Sequence, residues 1–235
     1  MVAATQVAMP GTARADDSAP KYAQNGWYQR AADLPSGTAM DGWRANITVT
    51  TDTPGANSCT LNSVLANNNV SSATLQLESG DVICGANTSI DGSCSLNTNL
   101  VRFDETDDHN TYTCYQYGTA TKGSTDTYRV TREPTFGSAL TYYRAYINGT
   151  GHQDIELSDD PNDPNIVGMA WAELTPGSGC NSNPKNYAIY DSINRYNYSA
   201  NTFSPVYNAE HFNPGECFTL SAVSNQTFHD ELNTN

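Results

Sequence analysis

Apolar and polar residues alternate with period two along much of the chain after residue 40. In GWRANITVT, residues 42–50, one face carries Trp43, Ala45, Ile47 and Val49. Similar runs recur at residues 72–80, 99–105, 110–118, 126–133 and 140–149. Because successive side chains of a strand point to opposite sides, this period predicts strands with one buried face.

Turn residues separate these runs. Asn148-Gly149 in YINGT is the dipeptide of a two-residue hairpin turn. Pro161 and Pro164 exclude regular structure from SDDPNDPN. The segment LNSVLANNN, residues 61–69, is compatible with a short helix that its asparagines end. Closely spaced strands without interleaved helices predict an all-β fold, an antiparallel β-sandwich.

The sandwich is expected to form a single domain over residues 22–235. Before it, Ala13-Arg14-Ala15 precedes Asp16 in the manner of the small-residue end of a signal peptide. Residues 1–21 are therefore interpreted as a signal-peptide remnant or, alternatively, as a disordered tail. No later segment approaches the ~18 apolar residues that a membrane-spanning helix needs.

The composition limits the classes of molecule that the chain is expected to bind. The 235 residues are 37% hydrophobic and only 15% charged, so Asn, Ser, Thr, Gly and Tyr supply most of the polar surface. The formal net charge is −14, with only 11 Lys and Arg residues. Because such a surface repels phosphate, we expect neither a nucleic-acid partner nor an anionic membrane partner.

The six cysteines indicate an oxidising compartment. An even number without a C-x-x-C pair favours disulfides in a secreted, extracellular protein over a zinc or redox site. Six cysteines allow 15 connectivities, which the sequence leaves open. Cys180 and Cys217 are remote from the other four and are candidates to pair with each other. The cysteines are Cys59, Cys84, Cys94, Cys114, Cys180 and Cys217.

No metal or cofactor motif is present. The four histidines form no H-E-x-x-H pattern, and neither a G-x-S-x-G elbow nor a phosphate-binding glycine loop occurs. Two acidic loops, residues 102–110 and 156–165, carry oxygen ligands of the kind that calcium prefers. Neither follows the EF-hand spacing, so we expect solvated acidic turns, no metal and no cofactor.

Several strands are rich in Tyr, Gln, Thr and Arg on the face opposite the apolar one. A sandwich needs only one apolar face per sheet, so the other face of one sheet could form a concave, aromatic-lined groove. Such a groove would hold a polypeptide or glycan ligand. The alternative is an ordinary solvated outer face, since Thr and Tyr favour strands everywhere.

One predicted strand places a carboxylate among apolar residues. In NIVGMAWAEL, residues 165–174, Val167, Met169, Trp171 and Glu173 share a face. Glu173 is either held there for chemistry or is a strand end that turns to water.

The order of these segments resembles the glutamic peptidases of the eqolisin type and the related neprosins. The resemblance rests on QNGWYQR at 24–30, GWRANITVT, TLQLESGDVIC at 74–84, VRFDE with YTCYQYG, and GMAWAEL at 168–174. It implies a secreted, jelly-roll sandwich of the concanavalin A-like kind that cleaves proteins in acid.

The resemblance also implies a catalytic pair. Glu173 would be the general base on a water molecule, and Gln76 would hold that water and the developing oxyanion. Their polar atoms should then lie ~5 to 6 Å apart, within reach of one water. Trp27, Trp43, Trp171 and Tyr146 would bind substrate.

Two departures from the family pattern concern these residues. The family glutamate directly precedes the tryptophan, whereas Ala170 precedes Trp171 and Glu173 follows it by two. Two extra residues separate Gln76 from Gly80. Glu78, on the same face as Gln76, is therefore a further substrate-binding residue that could substitute in a two-carboxylate scheme.

The working hypothesis is a secreted acid endopeptidase with a Glu/Gln pair. The alternative is a non-catalytic secreted module that binds carbohydrate or protein on the same sheet. A third class is a purely structural secreted domain.

Overall fold

The computed structural model describes most of the chain after residue 22. The described residues are 23–36, 38–56, 58–70, 73–85, 99–108, 111–133, 141–158, 160, 162–174, 185–207, 209–212, 218–224 and 226–232. Nearly all regular structure in these ranges is β-strand, apart from one turn of 3₁₀ helix at Ala31–Asp33. Within them, no helix is long and apolar enough to cross a membrane.

The described strands, numbered in chain order, form two antiparallel sheets. They are β1 Ala23–Arg30, β2 Gly42–Thr53, β3 Cys59–Val70, β4 Ala73–Cys84, β5 Val101–Asp108, β6 Tyr112–Thr119, β7 Thr125–Glu133, β8 Thr141–Ile147, β9 Thr150–Ser158, β10 Ile166–Leu174, β11 Lys185–Asn197, β12 Thr202–Pro205, β13 Glu210–Phe212, β14 Phe218–Ser224 and β15 Thr227–Leu232.

The first sheet has the order β13-β1-β10-β3-β4-β5-β6, and the second has the order β14-β15-β11-β2-β7-β8-β9, with β12 added to β11. The sheets pack face to face, which confirms the predicted β-sandwich. The segment proposed as a short helix, residues 61–69, is instead part of β3. There the β3 backbone pairs with β4 on one side and with β10 on the other. This tertiary pairing overrides the weak local helix signal.

The period-two pattern identified the inner face of the second sheet correctly. Trp43, Ala45 and Ile47 are fully buried in the core between the sheets. The first sheet meets them with small and aliphatic residues of its own inner face, namely Val64, Ala66, Leu77, Ile166 and Ala170. Gly168 lies against the Trp43 indole, where an added Cβ would come within 2.3 Å of the ring.

The predicted hairpin turn is also confirmed. Asn148 and Gly149 connect β8 to β9 with φ values of 50° and 83°. Two successive positive φ values match the twist of a two-residue hairpin and explain why Asn and Gly occur there.

Candidate functional site

The outer face of the first sheet carries the site residues. Directly paired residues of antiparallel strands point to the same side, so the registers define rows across this face. One row runs from Met169 on β10 through Leu65 on β3 and Glu78 on β4 to Glu105 on β5. Both carboxyl side chains of this row are buried, at 0% and 1% exposure. The face is therefore closed to solvent around Glu78.

Three side chains donate hydrogen bonds to the Glu78 carboxylate. Ser63 on β3 and the Trp171 indole both donate to Oε1, the indole Nε1 at 3.0 Å. Gln76 Nε2 donates to Oε2, also at 3.0 Å. Hydrogen bonds to a carboxylate favour its charged form, so this network stabilises an anion in a buried place. Glu78 is the polar centre of the outer face.

Small residues make room for the Trp171 indole. In the row across the sheet, Trp171 has Gly26 of β1 on one side. On its other side lie Ser63 of β3 and then Gly80 of β4. An added Cβ at Gly26 would lie 2.7 Å from the Trp171 Cβ, and one at Gly80 would lie 2.6 Å from the Ser63 Cβ. These contacts are too close for any larger side chain, so glycine is required for the strands to approach around the indole.

The second sheet fixes the same tryptophan from behind. Tyr190 on β11 donates from its hydroxyl to the Trp171 carbonyl oxygen at 2.5 Å, and the same hydroxyl lies 3.2 Å from Asn62 Oδ1. The Tyr190 ring stacks on Phe228 with centroids 4.3 Å apart. The backbone under the site is therefore anchored across the sandwich.

Glu105 supplies a second carboxyl group directly opposite Glu78. Paired residues on adjacent strands have Cβ atoms about 4.5–5.5 Å apart, so the two carboxyl groups are neighbours. Next in line, Asp107 is paired with Gln76 and is also fully buried. Neighbouring buried carboxyl groups do not all ionise together. We therefore expect Glu105, which faces the hydrogen-bonded Glu78 carboxylate, to retain a proton.

The structure does not bring Gln76 and Glu173 together. Gln76 is paired with Asn67, and Asn67 with Val167, which lies six positions before Glu173. At about 3.3 Å per residue, the two predicted partners are about 20 Å apart along the strands. Glu173 is fully buried beside Leu61 at the other end of the sheet, so it is not a strand end in water either. The prediction that Gln76 and Glu173 lie within reach of one water molecule is therefore wrong.

The predicted aromatic residues do not form one groove wall. Trp43 is fully buried between the sheets, and Trp27 packs against that core from the inner face of β1. Tyr146 lies on the outer face of the second sheet, where its hydroxyl donates to Glu133. Of the four, only Trp171 contacts Glu78. Alternation could not separate them, because a tryptophan suits either a core or a groove.

Two aspartates are buried between the sheets, of which Asp81 was not singled out by the sequence and Asp104 was expected in a solvated turn. Burial raises the pKa of Asp81 to about 7, although Tyr128 donates a hydrogen bond to it at 2.5 Å. Burial likewise raises the pKa of Asp104 to about 7. A polar residue at an inward position of an alternating strand was the available signal.

The first acidic segment is not the solvated turn that the sequence predicted. Its described residues belong to β5, where Asp104, Glu105 and Asp107 are buried because both faces of that strand are covered. The end of β5 and the second acidic segment meet at one end of the sandwich. Asp108 and Asp163 both line a cavity of about 620 Å³ together with Asn68. Burial opposes ionisation of Asp163, yet hydrogen bonds from Asn165, Ser158 and Asn68 together lower its pKa. Within the described ranges, no group of His, Cys, Asp and Glu side chains could hold a metal ion. In this structure Asp163 organises its own turn.

One disulfide joins the paired residues Cys59 and Cys84 on β3 and β4. Cys114 is disulfide-bonded as well. Cys94, Cys180 and Cys217 lie outside the described residues, so the suggested pairing of the last two stays a prediction. The expectation of disulfides is confirmed for Cys59 and Cys84.

Comparisons with known proteins identify the fold. No protein-family model matches the sequence. No curated protein matches it either. Scytalidoglutamic peptidase, solved with a peptide-based transition-state analogue, superposes with a TM-score of 0.54 and 12% identity. SCP-B, an eqolisin-family peptidase solved with the tripeptide Ala-Ile-His, gives 0.50 and 12%. Each comparison covers 90% of this chain and 98% of the other. The chain therefore has the sandwich fold of these glutamic peptidases.

Proposed function

We propose that this chain is a secreted hydrolase that cleaves peptide bonds in acid, with Glu78 and Gln76 as its Glu/Gln pair. The observation that supports this is the Glu78 carboxylate, held by Ser63, Gln76 and Trp171 on the outer face of the first sheet. The likeness of the fold to peptidases solved with peptide-like ligands agrees with this proposal.

The proposal keeps the predicted kind of pair and replaces its glutamate. Gln76 and Glu78 are 3.0 Å apart through Nε2 and Oε2, so one water molecule can contact both. Glu173, about 20 Å away along the strands, takes no part in the proposed chemistry.

In the proposed reaction, ionised Glu78 takes a proton from a water molecule as the water oxygen bonds to the peptide carbonyl carbon. Gln76 stabilises the oxyanion as an amide donor. Protonated Glu105, directly opposite Glu78, then gives its proton to the amide nitrogen as the C–N bond breaks. The proton on Glu78 returns to Glu105, which restores both groups. Low pH suits this scheme, because Glu105 must begin protonated.

The proposed ligand is an extended polypeptide crossing the outer face near Trp171. Glu78 is fully buried, so a substrate requires movement of the chain that covers this face. Export fits the disulfide, because such bonds persist in oxidising compartments.

The same burial favours one alternative. A carboxylate with 0% exposure and three internal hydrogen-bond donors suits a structural role in a non-catalytic binding module. That module would bind peptide or glycan without cleaving it.

Casein cleavage by the full chain, assayed from pH 2.5 to pH 7, separates these alternatives. We expect cleavage below pH 5, and E78Q should lower it by about 10²–10⁴-fold, as loss of a general base does. E173Q is the matched control, because Glu173 is an equally buried glutamate on the same face. Circular dichroism should show that both variants fold.

Other results have clear meanings. A large loss of activity in E173Q with full activity in E78Q would assign the general base to Glu173 instead of Glu78. Absence of cleavage by the folded wild-type chain at every pH would support the binding module.

A further inference from the structure

Asn67 is the neighbour of Gln76 on the outer face of the first sheet. The registers pair Asn67 on β3 with Gln76 on β4 and with Val167 on β10, so these three side chains form one row across the face. The next row along β3 and β4 holds Leu65 and Glu78. Asn67 therefore lies beside the proposed Glu/Gln pair, although the proposed reaction gives it no role.

The Asn67 side chain is buried without a partner for its oxygen. Only 2% of Asn67 is exposed. Among the described residues, none donates a hydrogen bond to its Oδ1. Asn62, a buried asparagine on the same strand, differs in this respect, because the Tyr190 hydroxyl lies 3.2 Å from the Asn62 Oδ1. A buried polar group without a hydrogen bond costs free energy, so the Asn67 carboxamide does not stabilise the fold.

The surroundings of Asn67 on this face would suit an apolar residue better. Val167, its partner on β10, and Leu65, two positions before it on β3, both belong to the apolar cluster of the outer face. A leucine at position 67 would extend that cluster. An asparagine that the fold does not satisfy, directly beside the proposed pair, has the character of a group held for a ligand.

A carboxamide matches the main chain of an extended peptide. The N–H and C=O of one residue in an extended chain point to the same side, as they do in a hydrogen-bonded pair of antiparallel strands. The Asn67 side chain carries an acceptor oxygen beside a donor NH₂ group. It can therefore accept from that N–H and donate to that C=O at once. Hydrogen bonds to the main chain give affinity for an extended peptide whatever its side chains are.

We propose that Asn67 is a substrate-binding residue, which pairs with the main-chain N–H and C=O of a residue close to the scissile bond. This inference rests on the proposed function. Directly paired side chains have Cβ atoms about 4.5–5.5 Å apart, and diagonal ones are about 7–8 Å apart. At about 3.3 Å per residue, Asn67 is thus within about two substrate residues of Gln76 and Glu78. It holds the peptide in place while those two residues act on the scissile carbonyl.

The first test measures binding and cleavage of the oxidised B chain of insulin, an unfolded peptide, by the full chain at pH 3.5. Calorimetry in the E78Q background keeps the peptide intact, and E78Q/N67L should bind about tenfold more weakly than E78Q, because two net hydrogen bonds are lost. In the otherwise wild-type chain, N67L should raise KM by a similar factor and leave kcat nearly unchanged. N67D should keep most of the affinity at this pH, since a protonated carboxyl still offers a donor and an acceptor.

Thermal unfolding separates this role from a structural one. N67L removes an unsatisfied buried carboxamide, so its Tm should rise by about 2–4 °C. N62L is the matched control on the same strand, and its Tm should fall, because Asn62 has a polar partner in the Tyr190 hydroxyl. A variant that is more stable and yet binds more weakly is the expected signature of Asn67.

The possible failures are distinct. Equal KM and equal peptide affinity with and without N67L would overturn the inference while leaving the peptidase proposal intact. A decrease in the Tm of N67L as large as that of N62L would also overturn it, since Asn67 would then be structural. Absence of cleavage by the wild-type chain, with weaker binding in E78Q/N67L, would reject the peptidase and keep Asn67 as a peptide-binding residue. Absence of binding by E78Q would reject both proposals.

Discussion

Trp171 donates its indole N–H to Glu78 although the two residues are 93 positions apart in the chain. They belong to β10 and β4, and β3 runs between these strands. The indole therefore spans a whole strand to reach the carboxylate. This contact unites the tryptophan singled out by the sequence with a glutamate other than Glu173.

We expect Trp171→Phe to lower the free energy of unfolding by about 1–3 kcal/mol, because a buried carboxylate loses a hydrogen-bond donor. Urea unfolding at pH 4 measures this change. The same substitution in an E78L background should cost at least about 0.5 kcal/mol less, because the partner is gone. Equal costs in the two backgrounds would show that the indole acts only by packing.

Glu105→Gln should reduce casein cleavage by about 10²–10⁴-fold if Glu105 is the acid that protonates the leaving amine. The pH profile should also lose its limb on the alkaline side, where that acid normally ionises. Glu156→Gln, at a half-buried position on β9, is the control and should leave both rate and profile unchanged. Full activity in Glu105→Gln would remove Glu105 from the mechanism.

The stability of the fold should decrease as the pH rises from about 4 to about 7. The pKa values of Asp81 and Asp104 are raised from 3.8 to about 7, so the folded chain holds protons that the unfolded chain releases. The unfolded state therefore binds fewer protons in this window, and the free energy of unfolding falls with rising pH. Thermal unfolding from pH 3.5 to pH 8 measures the slope.

Asp81→Asn tests the origin of that slope. Asparagine still accepts the hydrogen bond from Tyr128 but cannot ionise, so Tm at pH 7.5 should rise by on the order of 5–10 °C. Tm at pH 4 should change little. A decrease of similar size at both pH values would mean that the carboxyl is not the source.

Replacement of both Cys59 and Cys84 by alanine should destabilise the chain by about 3–4 kcal/mol, since the bond closes a loop with a sequence separation of 25. Urea unfolding of the double variant measures this loss. Because the two cysteines are paired residues at the end of the β3–β4 ladder, the hydrogen bonds to Glu78 should survive. A midpoint equal to that of the wild type would contradict the expectation.

Alternation predicted much of the fold because it reports burial directly. On β2, β7 and β8 the residues assigned inward are buried, including Trp43, Tyr128 and Tyr143. It failed on β3, where residues 59–68 are buried on both faces and polar and apolar residues are mixed on each. A strand covered on both sides loses the polar face that makes the period visible.

The candidate site was less predictable, because its residues depend on register. Gln76 and Glu173 do lie on the same face of the first sheet, yet nothing in either strand specifies how far β10 slides past β4. Glu105 had the same sequence signal as Glu173. It continues the buried face of Val101 and Phe103, just as Glu173 continues that of Trp171.

The β3–β4 pairing has a consequence for the order of folding. Ser63, Gln76 and Glu78 belong to one hairpin and are at most 15 positions apart, whereas Trp171 must arrive from 93 positions away. Contacts between near neighbours in the chain form before distant ones, since closing a short loop costs less entropy. We therefore expect the carboxylate to find two of its donors in an early hairpin and the third only when β10 docks. Assembly of the site would thus report the last step of sheet formation.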